Sequence, residues 1–318
     1  MGRISKNKIR PHYCSPERSK PPPPHHFSHQ QWLSIIRRHT PTKNTTRILP
    51  ESSQSMIQRI LRIYQVEIIK SVRLKSTFIG PALVLLVVLF APLVFPIQSD
   101  NNSDFGFLAY SLPLAINVIG HFLILIYTTN LISSEIASGT ACFILTHPIR
   151  RVEWYIAKVL HGFTYVLFIN ACAVVTASLV VFLAGNLTGV HFGGELIYSN
   201  KDMFKALSIC LLLTLIPQFT TVTFGLLISS ITKSPGTAAI IAVGIWLLGE
   251  GIMHPFQWSD WLYFSYADYP WTVFADMCDA FDGSFFPKAY QGIAVSTIYF
   301  SFFTFISIKI IARKHLGS

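Results

Sequence analysis

Charge is what this 318-residue chain has least of. Asp, Glu, Lys and Arg make up 13% of it, against about 25% in ordinary soluble domains, whereas 51% of the residues are hydrophobic. Two stretches, 105–134 and 159–194, contain no charged residue at all. Each is longer than the ~20 apolar residues a helix needs to cross a bilayer, so the composition excludes a soluble globular domain and indicates a polytopic membrane protein. Catalytic signatures are missing too. No Gly-x-x-x-x-Gly-Lys-Ser/Thr occurs; Gly189 to Gly194 has the glycine spacing, but Glu195 follows where a lysine is required, so the chain cannot cradle and hydrolyse ATP by itself. There is no His-Glu-x-x-His and no Gly-x-Ser-x-Gly. The five cysteines (Cys14, Cys142, Cys172, Cys210, Cys278) are far apart and have no histidines at zinc spacing, which leaves them as small apolar fillers and predicts no metal site.

The formal net charge of +10 sits mostly in one place. Residues 1–55 hold ten Lys or Arg against Glu17 and Glu51, whereas from Met56 onward fifteen basic residues face thirteen acids. The main body therefore has no basic surface of the kind that binds nucleic acid. The tail itself, with Pro21 to Pro24 and His25, His26 and His29, is too poor in apolar periodicity to bury a core and reads as disordered. It is either a metal-binding histidine tract or an upstream extension ahead of a natural start at Met56, and the second reading is preferred. The expected domains are thus a basic Pro/His-rich tail, 1–55, and a transmembrane domain, 56–318.

From Ile57 to Ser76, Ile57, Ile60, Leu61, Tyr64, Ile68 and Val72 recur at helical spacing with Arg59, Arg62, Lys70, Arg73 and Lys75 largely between them. This predicts an amphipathic helix in the membrane interface, basic side toward anionic headgroups of the membrane lipid. Six spans follow, at about 77–98, 107–133, 159–184, 206–230, 237–256 and 289–308. The segments at one set of ends carry twelve Lys or Arg, whereas the opposite set has Lys201, Lys205 and Lys288, so both termini are expected in the cytoplasm. Residues 257–287 hold eleven aromatics interleaved with acids, which predicts a re-entrant or interfacial helical hairpin on the outer side, before the sixth helix. The fold class is an all-α integral membrane protein.

The longest polar interruption between apolar runs is Glu135 to Lys158. Ser138 and Gly139 end one helix, Thr140 can cap a new turn, Ala141 to Leu145 is a short apolar helix that His147 and Pro148 close, and Arg150, Arg151 and Lys158 lead back to the membrane. A short helix at a fixed angle beneath two spanning helices can take a push from a cytoplasmic partner; an idle amphipathic connector is the competing reading. Within the spans, Asn117, His121 and Thr128 share a face of the second helix, and Thr214, Gln218 and Thr221 a face of the fourth, beside Pro217. They either line a substrate path or hydrogen-bond between helices. Glu250 is the one carboxylate within a predicted span, with His254 a turn later. A charge there costs ~3 kcal/mol on insertion scales, so it is retained for a partner or a relay.

The run from Glu135 resembles the cytoplasmic loop of type-2 ABC transporter permeases, the export-type membrane subunits. Their pattern is Glu-x-x-x-Gly-Thr, a Leu-rich turn, Pro-Ile/Val-x-Arg and a Lys seven residues on. Glu135, Gly139, Thr140, Leu145, Pro148, Ile149, Arg151 and Lys158 fall in that register without a gap; Ala157 replaces a common Gly, and Ala141 and Cys142 replace usual polar residues. The resemblance, over 56–318, implies that the loop is a coupling helix seated on a separate nucleotide-binding ABC ATPase, which would hold ATP and Mg so that this chain needs no cofactor. It further implies a second permease copy, in a homodimer or heterodimer, and residence in the plasma membrane. A stand-alone ion-coupled carrier using Glu250 and His254, or a membrane enzyme or assembly factor, are the alternatives.

Overall fold

The apolar runs of the sequence are helices, most of them longer than the runs themselves because each continues into its charged flank. The structure, a computed structural model, describes residues 56–95, 97, 104–140, 150–185, 187–256 and 259–313, with backbone alone at 252–256 and 259. All belong to one unit, Ser55–Leu316. Helix α1 (Met56–Arg73) leads through a 3-10 turn into α2 (Ile79–Phe90), which ends in a second 3-10 turn at Ala91–Leu93. Then come α3 (Phe105–Ala137), α4 (Arg151–Ala184), a two-stranded antiparallel hairpin of β1 (Val190–Phe192) and β2 (Glu195–Tyr198), and α5 (Asn200–Ile231). After α6 (Pro235–Phe256) two 3-10 turns precede α7 (Tyr269–Cys278) and α8 (Lys288–Arg313).

Five of these segments are long and apolar enough to cross a membrane: Lys75–Leu93, Phe105–Ala137, Arg151–Ala184, Asn200–Ile231 and Lys288–Arg313. The fifth span expected from sequence falls on α6, whose apolar portion, Pro235–Gly251, is shorter. The protein is a helical, multi-pass membrane protein. Among the described residues its strands are confined to the hairpin between α4 and α5. Gly193 and Gly194 both adopt positive φ (62° and 89°), as the tightest hairpin turns require and as side-chain-bearing residues resist.

Helix α5 is the axis of the bundle, packing against α3, α4, α6, α7 and α8. It is the most buried of the spans, whereas most of α8 faces outward. Small and hydroxylated residues make this possible, since helices in a membrane associate by close backbone approach rather than by hydrophobic burial. A Cβ on Gly225 would lie 2.0 Å from Thr128 Oγ1 of α3, and one on Gly162 of α4 would lie 2.4 Å from Val222 Cγ1 of α5. Two irregularities are tied to each other. Residues Leu114–Ile119 of α3 form a π-helical turn just after Pro113, and Pro217 interrupts α5. The Ile116 carbonyl accepts a hydrogen bond from Gln218 Nε2 at 3.3 Å, so the defect in one helix meets the side chain that follows the proline of the other.

Candidate functional site

At one end of the bundle α1, α3 and α4 converge on a cluster of charges. Lys158 of α4 is wholly buried, its Nζ 2.6 Å from Glu135 Oε1 of α3 and 2.8 Å from Glu67 Oε1 of α1. Glu135 Oε1 also accepts from Lys70 Nζ of α1 at 2.5 Å. Two acids and two bases thus alternate, Glu67, Lys158, Glu135, Lys70, and the formal charge sums to zero. Balance is what makes the burial tolerable, since an unpaired buried ion costs several kcal/mol. Around it, Arg59 Nη2 donates to Glu153 Oε1 at 2.7 Å, Tyr64 and Thr164 hydroxyls pair at 2.7 Å, and His161 Nε2 lies 2.8 Å from Ser71 Oγ and 2.6 Å from Tyr127 OH. The hydrogen bond to Glu153 raises the Arg59 pKa above its ordinary value, so this guanidinium is charged at any working pH.

These contacts correct the picture of α1 as a helix with its basic side to the lipid. At roughly 100° per residue α1 has three faces rather than two. Arg59, Glu67, Lys70 and Ser71 turn toward α3 and α4; Ile57, Leu61 and Val72 form an exposed apolar stripe; Gln58, Arg62, Gln65 and Arg73 form an exposed polar one. Two of its four basic residues, Arg59 and Lys70, therefore meet protein carboxylates instead of headgroups. Glu67 escaped the sequence reading, and Lys70 was read only as part of the basic side, although Glu67 is the single acid in an otherwise basic helix and Lys70 lies one turn beyond it.

The residues that the motif singled out are not all in one place. Glu135 and Lys158 meet in the buried cluster. Gly139 closes α3 with φ 71°, its N–H bonded to Ile136 O, and is exposed together with Ser138. Thr140 Oγ1 pairs with Ser138 Oγ at 2.9 Å. Arg151 Nη1 donates to the carbonyls of Ile311 and Ala312, both at 2.9 Å, and so caps the last turn of α8, where helix carbonyls have no partner of their own. Leu145, Pro148 and Ile149, with the short helix expected there, lie outside the described residues.

A second polar cluster crosses the middle of the bundle. Asn117 Nδ2 donates to Ala267 O at 2.8 Å and to Asp268 Oδ1 at 2.6 Å, tying α3 to the segment before α7. His121 Nδ1 donates to the Asn117 carbonyl at 2.8 Å, and its ring stacks on Trp246 of α6. Gln218 of α5 accepts from Asn170 Nδ2 of α4 at 2.6 Å. Thr128, Thr214 and Thr221 each return a hydrogen bond to a carbonyl of their own helix. Glu250 is half-buried on α6, near enough to Tyr263 for its charge to act on the phenol. The side chain of His254 lies outside the described residues.

A multi-pass helical bundle with a buried, balanced charge cluster at one end fits a membrane transport subunit, and comparison with known families agrees. The model of the ABC-2 family transporter proteins matches residues 42–257, more than half of the chain. The chain belongs to this family, and is a permease-type membrane subunit of an ABC transporter. No curated protein matches it.

Proposed function

We propose that this chain is the membrane-spanning subunit of an ATP-driven exporter, powered by a separate nucleotide-binding ABC ATPase that contacts the connection between α3 and α4. On this reading α6 is a sixth span, both termini lie in the cytoplasm of a plasma-membrane protein, 257–287 caps the outer side as an interfacial hairpin, and a second permease copy completes the pathway. Residues 1–55 are a basic tail ahead of the permease domain, 56–318. The observation that carries the proposal is the buried Glu135–Lys158 contact, 2.6 Å long. It joins the two helix ends from which residues 141–149 emerge, so that a push on this connection is delivered to the charge cluster that holds both helices. Gly139, Thr140, Leu145, Pro148 and Ile149 form the contact surface, and Arg151 carries the motion to α8. Asn117, His121, Thr214 and Gln218 border the path along which the helices part.

Purification in mild detergent from the native host, with mass spectrometry and an ATPase assay, tests this. An ABC ATPase should accompany the chain and hydrolyse ATP in a vanadate-sensitive manner. Glu250, a carboxylate inside the apolar helix α6, supports a second reading as an ion-coupled carrier with His254. Uptake that follows a proton or sodium gradient without ATP, and is lost in Glu250→Gln, would favour it and defeat the first.

A further inference from the structure

Helix α1 supplies the charge cluster with one charge of each sign, three residues apart, and each goes to a different neighbour. Glu67 pairs with Lys158 of α4, and Lys70 with Glu135 of α3. The remaining contact, Lys158 to Glu135, is the ionic link between α3 and α4 themselves. Breaking that one contact divides the cluster into two pairs, Glu67–Lys158 and Lys70–Glu135, each neutral. Without α1, separating α3 from α4 would strand a buried lysine on one helix and a buried carboxylate on the other.

We infer that Glu67 and Lys70 are the positioning residues of a partner-exchange joint, which lets the ends of α3 and α4 separate during the transport cycle without leaving an ion unpaired. The surroundings assign the moving part. Helix α1 is stitched to α4 along its length by Arg59–Glu153, Tyr64–Thr164, Glu67–Lys158 and Ser71–His161. Helix α3 is held to the α1–α4 block by Lys70, by the Tyr127 hydroxyl, which hydrogen-bonds Ser71 of α1 and His161 of α4, and by Lys158. Lys70 is 29% exposed, and its long flexible stem can follow Glu135 as α3 shifts, whereas Lys158 is fully enclosed and stays with Glu67. Glu135 also keeps its Oε2 buried and unbonded while Oε1 serves both lysines, so the closed arrangement leaves it an oxygen with which to strengthen its bond to Lys70 once Lys158 departs.

The inference builds on the proposed role of the α3–α4 connection, but its test needs no ATPase. Spin labels at Ser138→Cys and Ile156→Cys, in a background with the native cysteines replaced, report the separation of the two helix ends in the purified full chain. The swap Glu67→Lys with Lys158→Glu keeps both outer pairs attractive and turns the central contact into repulsion; Lys70→Glu with Glu135→Lys does the same by a different route. Each swap should raise the ratio of long to short distances by about tenfold or more. All four reversals together restore attraction throughout and should return the wild-type distribution. A cluster that merely holds the fold would give the same distances in every variant that folds. Distances unchanged in either double swap, or a quadruple variant that stays long, would overturn the proposal. Should one double swap fail to fold, the other and the quadruple variant decide it. Where an active ATPase copurifies, Glu67→Gln should hold the distance short when nucleotide is added while the wild type lengthens; a wild-type distance that never responds there would overturn the joint, whereas the absence of any ATPase would defeat the proposed function alone and leave the double swaps to decide.

Discussion

Replacing Lys158 by Met removes the one cation that touches both buried carboxylates. Glu67 Oε1 and Glu135 Oε1 contact the same nitrogen, at 2.8 and 2.6 Å. They therefore lie within roughly 5 Å of each other, and at an effective dielectric constant of ~20 two unit charges at that separation repel by about 3 kcal/mol. Breaking a buried ion pair from one side typically costs about 3–5 kcal/mol, and the two figures agree. Glu67→Gln is milder, since Lys158 keeps Glu135; it should cost about 1.5–3 kcal/mol, the value of a hydrogen bond to a charged group. The same reasoning makes an ordering that simple contact loss does not. Lys158→Met combined with Glu67→Gln and Glu135→Gln removes the stranded charges as well as the cation, and should be more stable than Lys158→Met alone. Equilibrium unfolding of the purified chain in detergent, followed by circular dichroism, measures all of these. A Lys158→Met variant within 0.5 kcal/mol of wild type on the ~1 kcal/mol scale of ordinary substitutions, or a triple variant less stable than the single one, would refute the reasoning.

Other expectations follow from the same contacts. Gly162→Ala would place a methyl 2.4 Å from Val222 Cγ1 and should cost about 1–3 kcal/mol, much of it recovered by adding Val222→Ala; thermal unfolding of both variants checks this. Asn170→Ala leaves the Gln218 amide oxygen buried without its 2.6 Å donor and should destabilise by about 1–3 kcal/mol in the same assay. Arg151→Met uncaps the last turn of α8, so amide hydrogen exchange should rise at that end of α8 and remain as before in its middle. Burial pushes the Cys278 thiol up to about 12. Its contribution to stability is therefore complete below the ordinary thiol range near 9 and is lost as the pH rises from there through 12, because the unfolded chain ionises first. At neutral pH a variant with Cys278 as its single cysteine should react with a permeant maleimide about a thousandfold more slowly than one carrying Ser138→Cys instead; comparable rates would contradict the burial.

Five of the six expected spans fall on helices long and apolar enough to cross a membrane, and they were legible in the sequence because a bilayer imposes a length and a polarity that few other structures share. Their ends were not, since a helix runs on for as long as its backbone is satisfied: α4 starts at Arg151, eight residues before its apolar run. The hairpin was hidden because strands of three and four residues are too short to show alternation, although the Gly193-Gly194 pair marked the turn. At the charge cluster the motif spacing drew attention to Glu135 and Lys158, and the structure puts them in contact. What spacing could not reveal was the third helix. The acid and base that complete the cluster lie more than sixty residues before Glu135, in a segment whose amphipathic pattern is dominated by its exposed apolar stripe, so its inward lysine looked like part of an outer basic face. Asn117 and Gln218 were visible as polar residues within apolar helices, but their partners, a backbone carbonyl of 267 and the amide of Asn170, belong to tertiary packing alone.

The proposed contact between the α3–α4 connection and an ABC ATPase is tested most directly by photo-crosslinking in the intact complex. A benzophenone amino acid at Ser138, exposed at the end of α3, should capture the nucleotide-binding subunit, while one at Phe192, exposed on the hairpin, should capture none of it. Capture at Phe192, or at neither position while an active ATPase copurifies, would contradict the account.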